Sequence, residues 1–340
     1  MLSHLRKGTR KETHMPRFRL RPAVLLLLTL PAALAGGCSQ QARQHAADER
    51  FRAIYEAEWR WRQEQLPGGE DNNQPPADHL PKVDPASQQQ RLERWQETLR
   101  TVEALARGDL SPAAQTNYDI YRAQLQVLID HQRFRDFEMP ANSDSTFWTD
   151  LGYTARRPFR TLTDYQHWIA QMRDIPRYFA EQMDEMRAGL KRGFTPPHVT
   201  LEGRDASITA VTNATPEASL FYTPFREMPG IAAEKQAALR AEGLATIRDV
   251  VQPAYVKLLA FMRTEYLPGT RTTLAAEALP DGKAYYRAKI REFTTLDMDP
   301  EAIHKFGVAE VERLHRAMVD EMHAAGFTGD FAQFLHFLRT

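Results

Sequence analysis

One cysteine, Cys38, stands among 340 residues, so no intrachain disulfide can staple this chain. The short signatures that name a chemistry at sight are missing too. There is no HExxH, no GxSxG, no Walker-type glycine loop and no CxxC, so spacing alone assigns no standard catalytic site. From Gln40 onward there is no convincing run of alternating apolar and polar residues, which leaves little room for sheet. An excess of positive charge is lacking as well. Lys and Arg number 44 against 44 Asp and Glu, and residues 1–37 hold seven of the former and one of the latter. The remainder carries 37 basic against 43 acidic residues, a net charge of −6. That balance argues against a nucleic-acid binder, because nothing supplies the basic field that phosphate contacts need.

What is present is apolar material. At 42% hydrophobic and 10% aromatic content, the chain can build one or two packed domains. Its first 37 residues read as an export signal. Arg17, Arg19 and Arg21 precede the apolar run from Ala23 to Leu30, too short to span a bilayer comfortably and followed by Ala35, Gly36 and Gly37; Met15 would make a compact start. Cys38 directly after these small residues resembles a bacterial lipobox, with Ala35 where Leu is usual. Lipidation at Cys38 is expected, and Ser39 after it suggests the periplasmic face of the outer membrane. The alternative is a soluble periplasmic or secreted protein cut after Ala35.

Residues 38–340 read as one helical domain. Leu92, Trp95, Leu99, Val102 and Ala106 keep a three-four spacing between Asp84-Pro85 and Gly108. Ser111-Pro112 opens a second helix with Tyr118, Tyr121, Leu125, Leu128 and Ile129 on one side. A third carries Tyr165, Trp168, Ile169, Met172, Phe179, Met183 and Met186, with a kink expected at Pro176 and a stop at Gly193. Another long pattern runs from 231 to 266, where Pro253 should bend it. Asp299-Pro300 starts the next, through Ile303, Phe306, Val311, Leu314, Met318 and Met322 to Gly326. Segments 66–85 and 139–145 read as linkers. The Met-rich faces, Met318 and Met322 included, read as core filling. The fold class is therefore all-α, with long packed helices.

Two segments carry a family likeness. Thr195-Pro196-Pro197 forms a stiff turn, and residues 279–307 hold Leu279-Pro280, Gly282, Tyr285-Tyr286, Thr294-Thr295, Asp299-Pro300-Glu301 and Ile303-His304 in fixed order. This order resembles the bacterial domain-of-unknown-function 885 family, helical proteins regarded as zinc metallopeptidase-like. The resemblance implies the N-terminal part of a larger fold of that kind. It implies zinc bound by an HExxPGH segment and a further acidic residue, with the motif glutamate activating water. This chain has no HExxPGH, so no catalytic residue or metal ligand is assigned within it. The expected partner is then the missing C-terminal portion, or a peptide.

Within the chain the substrate-cleft candidates are Tyr285, Tyr286 and His304. Adjacent helical tyrosines point about 100° apart, so one of the pair can face a cleft while the other packs. The turn at 279–282 would present free backbone donors at a helix start. Plain core packing is the competing reading for both tyrosines, and packing at a helix start for His304. Glu312, His315 and His323 are the most metal-like group. His315 and His323 are eight residues apart, about 12 Å along a helix, too far for one zinc ion, so these read as surface residues. Phe331, Phe334, Leu335 and Leu338 fall at i, i+3, i+4 and i+7 and form an apolar stripe expected to lie exposed. Two functions stay open. One is the non-metal part of an exported zinc peptidase, inactive alone; the other is a non-catalytic helical envelope lipoprotein that binds a peptide or protein.

Overall fold

The computed structural model describes residues 30–67 and 75–340, with side chains from residue 40 onward. Residues 1–29, most of the segment read as an export signal, and the side chain of Cys38 lie outside this description. Helix α1 (Leu30–Gln65) leads into α2 (Pro85–Glu103) and α3 (Pro112–Phe134). Both latter helices start where their caps predict. Asp84 Oδ1 accepts the N–H groups of Ala86 and Ser87, and Ser111 Oγ accepts that of Ala114, satisfying donors that a helix start leaves free. Helix α2 stops at Glu103 rather than near Gly108, and a separate 3-10 turn, Arg107–Asp109, follows.

These three helices enclose one core of Phe51, Trp95, Val102, Leu110 and Leu125. A carboxylate sits inside it. Glu58 is buried and accepts from Arg62 Nε (2.8 Å) and Nη2 (2.7 Å), Trp95 Nε1 (2.9 Å) and Tyr121 Oη (3.2 Å). Such a charge is tolerable only when its lone pairs are occupied in this way.

A second, larger core surrounds α4 (Phe147–Thr154) and α5 (Leu162–Arg192). A capping box between Thr161 and Asp164 opens α5, Gly193 closes it at φ 76°, and the helix runs on through Pro176. Tyr165, Trp168, Ile169, Met172, Ile175, Phe179 and Met186 line its buried side. Trp168 stacks on Phe221 and donates its Nε1–H to the Phe221 carbonyl at 3.0 Å. After α5 come the short turn α6 (His198–Leu201), then α7 (Asp205–Asn213) and the single turn α8 (Thr223–Arg226).

The stretch expected as one helix with a bend at Pro253 is more segmented. It comprises α9 (Ala233–Thr246), a π-helical turn (Ile247–Val251), α10 (Gln252–Phe261), a second π-helical turn (Met262–Tyr266) and α11 (Leu267–Gly269). Each widened turn ends one residue short of a proline, Pro253 or Pro268. Proline lacks an N–H and its ring collides with the carbonyl four residues back; the extra residue in the turn moves that carbonyl aside.

At the seam between the two cores Glu138 is buried and accepts from Arg192 Nε at 2.7 Å, with Arg135 Nη1 at 3.3 Å. Glu185 of α5 is 4% exposed, and its Oε1 has no hydrogen-bond partner among the described residues. Burial, reinforced by the neighbouring Glu138 charge, pushes its pKa up to about 7.

A small third core of Phe134, Phe194, Leu279, Tyr285 and Ala288 fixes α12 (Gly282–Thr294) against α3 and the end of α5. Beyond it, α13 (Pro300–Ala324) behaves differently. Asp299 caps it as expected, but Met322 is its one buried residue; Phe306 is 69% exposed and Met318 45%. The reading of Met318 as core filling is therefore corrected, whereas Met322, one turn on and 2% exposed, is core as expected. Helix α14 (Phe331–Phe337) folds back on the end of α13 through Phe327, whose ring lies 5.3 Å from Phe334, leaving Phe331, Phe334 and Leu335 half-buried and Leu338 exposed. Among the described residues there is no strand, only two isolated bridges, and no helix long and apolar enough to cross a membrane.

Candidate functional site

The candidate site is an open groove of about 590 Å³ formed by residues 275–277, the outer side of α12 and the start of α13. Its first wall is held from a distance by the Thr-Pro-Pro turn. Thr195 is buried; its Oγ1 accepts the Arg271 backbone N–H at 3.0 Å and its carbonyl accepts Arg271 Nε at 2.7 Å. The His198 N–H returns a bond to the Arg271 carbonyl at 2.8 Å. Arg271 Nη1 then donates to the Ala275 carbonyl at 3.0 Å, which sets the course of the wall. Prolines 196 and 197 carry no N–H to compete with these bonds and fix φ through the turn.

The second wall is α12 itself. The wall segment closes over its first turn: a Cβ at Gly282 would lie 2.4 Å from the Ala276 carbonyl oxygen and 2.6 Å from Glu277 backbone atoms. The preceding Asp281 takes a left-handed conformation, φ 54°. The helix start is thus packed against residues 276–277; the Gly282 N–H is taken by the Leu279 carbonyl, and no side chain caps the turn. On the inner side, Lys289 donates to Asp136 Oδ2 (2.7 Å) and Glu292 Oε2 (2.9 Å), and His131 Nε2 donates to the same Glu292 oxygen at 3.0 Å. Burial works against the Lys289 charge, yet these bonds outweigh it and its pKa is raised. Arg291 reaches Asp130 at 3.4 Å.

The tyrosine pair divides. Tyr285 is 9% exposed, edge-on to Phe134 and Phe194 with ring centroids 5.5 Å away in each case, and burial with the nearby Asp136 charge pushes its pKa up to about 12. Tyr286 is 45% exposed and lines the groove with Lys283 and Arg287. Positions 283, 286 and 287 share one helix face. The third wall follows from the Thr-Thr step. Thr295 adopts φ 62°, an unusual conformation for a β-branched residue, and Thr294 Oγ1 accepts the Leu296 N–H at 3.1 Å, so the chain reverses and brings Asp299, Pro300 and Glu301 to the groove.

His304 is exposed on α13 and does not line the groove. Glu312, His315 and His323 are exposed too; the His315 ring packs on Phe331 at 4.9 Å. Among the described residues no three His, Cys, Asp or Glu side chains are placed to hold a metal ion. The described residues therefore do not make up a zinc site. Lys283 and Arg287 escaped the motif reading, although their i, i+4 spacing around Tyr286 was a usable signal.

Helices around three cores, with an open groove beside the third, define an all-α scaffold with no assembled metal centre among the described residues. The chain belongs to the family described as bacterial protein of unknown function (DUF885), which matches residues 66–340. Its fold is similar to a crystal structure described as "the putative lipoprotein from Colwellia psychrerythraea", with a TM-score of 0.66 and 18% identity over 74% of this chain. The match covers 46% of that protein, so the chain spans less than half of its length. No curated protein matches the chain.

Proposed function

We propose that this chain is the N-terminal part of an exported zinc metallopeptidase-like protein, and that the groove beside Tyr286 is one wall of its substrate cleft. The metal would be held by residues beyond those described, so the chain alone is without hydrolytic activity. The observation that carries this reading is the combination of a family match over 66–340 with a span of 46% of the structural neighbour. The uncovered apolar face of α13 supports it, because Phe306, Val311, Leu314 and Met318 form a stripe that gains by burial. The test is to supply a C-terminal portion carrying HExxPGH from a relative to this chain. Zinc-dependent peptide hydrolysis is expected from the complex and from neither part alone; one tightly held zinc per purified 38–340 chain, or an inactive complex, would defeat the reading.

Anchoring through Cys38 belongs to the same proposal. The lipobox-like Ala35-Gly36-Gly37-Cys38 supports it, as does the lipoprotein description of the structural neighbour. A multiply acylated cysteine holds a protein stably at a membrane, so Cys38→Ala should move it to the soluble periplasmic fraction. Unchanged fractionation would count against lipidation. A second reading, a non-catalytic envelope lipoprotein that binds a peptide, is favoured by the groove having open charges without a metal-holding set beside it. Peptide binding with no hydrolysis in any complex would select it.

A further inference from the structure

The charges of the groove narrow what it would take, and the inference that follows rests on the cleft reading above. Helix α12 carries four cations. The two on its inner side are paired, Lys289 with Asp136 and Glu292, and Arg291 with Asp130. The two that line the groove, Lys283 and Arg287, have no ion-pair or hydrogen-bond partner among the described residues. They stand one helical turn apart with the exposed Tyr286 between them, so two cationic heads and a phenol face the same volume. A phenol can donate to an oxyanion as well as accept.

Three carboxylates also border this space, and they are not equivalent. Asp299 Oδ1 accepts the N–H groups of Glu301 (3.0 Å) and Ala302 (3.2 Å), which ties it to its capping role. Glu301 lies 3.8 Å from Lys305 on the following turn. Glu277, on the wall facing α12, has no such partner among the described residues. A polyanion in the groove would meet all three of these charges. A single carboxylate held at Lys283 and Arg287 would keep most of its attraction, and the peptide behind it would extend along the remaining volume. A groove of about 590 Å³ has room for a few residues.

We propose that this groove is a carboxylate-end subsite: it seats the C-terminal carboxylate of a short peptide on Lys283 and Arg287, with the Tyr286 hydroxyl as a third donor. Arg287 can engage both carboxylate oxygens with its planar fork, and Lys283 adds a point charge. The subsite would orient a peptide by its free end, so the class of substrate is a short peptide with an unblocked C-terminus.

The full chain is titrated with N-acetylated trialanine as the free acid and as the C-terminal amide, followed by NMR at low ionic strength. The free acid is expected to bind about tenfold or more tightly than the amide, the size of effect a charge-assisted contact confers. Lys283→Met and Arg287→Met should each remove most of that preference, and Tyr286→Phe a smaller part. All three positions are exposed, so the variants should unfold at the wild-type temperature. Equal binding of acid and amide would overturn the subsite while leaving the cleft reading in place, whereas no binding of either peptide would overturn both. Preference for inorganic phosphate, or for vesicles rich in anionic phospholipid, would also overturn it.

Discussion

Helices α5 and α13 are both long and amphipathic, 31 and 25 residues, yet only one of them finishes its packing inside the chain. On α5 the residues from Tyr165 to Met186 meet α4, α9, α10 and the loop around Phe221, and nothing large on that face remains in solvent. On α13 the equivalent stripe meets α14 near its end, and Phe306 projects into solvent. An amphipathic pattern says that a face gains by being covered. It does not say what covers it, and here the two helices differ in that respect.

The sharpest way to break the comparison is to remove a large side chain from each helix. Trp168→Ala should cost about 3–5 kcal/mol, through lost burial and the unpaired Phe221 carbonyl, and thermal unfolding would show it. At the start of α12, which lies between the two regions in the chain, Gly282→Ala should cost about 1–3 kcal/mol, since its methyl group must displace backbone rather than a movable side chain. Retention of the wild-type melting temperature would show that residues 275–277 are loosely held.

Glu185 sharpens the comparison from the side of the packed core, where one charge lacks a partner. Its folded pKa of about 7 lies above the ordinary 4.5, so between these values the folded chain keeps a proton that the unfolded chain has released. Stability from this group is complete below about pH 4.5 and declines as pH rises towards 7. Glu185→Gln should therefore leave stability at pH 4 nearly unchanged and raise it at pH 8 relative to wild type. Parallel stability curves for the two proteins would contradict the assignment. The smallest effect is expected on α13. Phe306→Ala should change stability by within about 0.5 kcal/mol, and a loss comparable to that of Trp168→Ala would mean that α13 is packed after all.

Much of this architecture was legible because caps are local. Asp84, Ser111 and Asp299 each announced a helix start with a side chain that could reach the next amides, and Gly193 an end. The split between Tyr285 and Tyr286 followed from helical geometry before any neighbour was known. Long-range choices were not legible. Nothing near Glu58 in sequence foretells Trp95 and Tyr121, 37 and 63 residues away, as its donors. Thr195, which accepts two bonds from Arg271, lies 76 residues upstream in a turn whose prolines suggested stiffness but not what it would hold. The groove inherits that limitation, since one of its walls, residues 275–277, comes from a segment with no motif.

Counting turns along residues 233–269 gives the two proline-linked π turns a further meaning. Leu239 and Tyr266 are 27 positions apart, roughly seven and a half turns of a regular α-helix, so in such a helix they would point in opposite directions. Both are nevertheless buried, and α5 is in contact with α9, with α10 and with both widened turns. Each π turn lets the side-chain pattern fall back by roughly a quarter turn relative to α-helical progression, and two of them together recover the half turn. The prolines thereby act as phase correctors: deleting one residue from a single π turn should swing everything downstream around the helix axis, Tyr266 and the Leu267 to Arg271 connection included, and with them the wall that Arg271 holds in place.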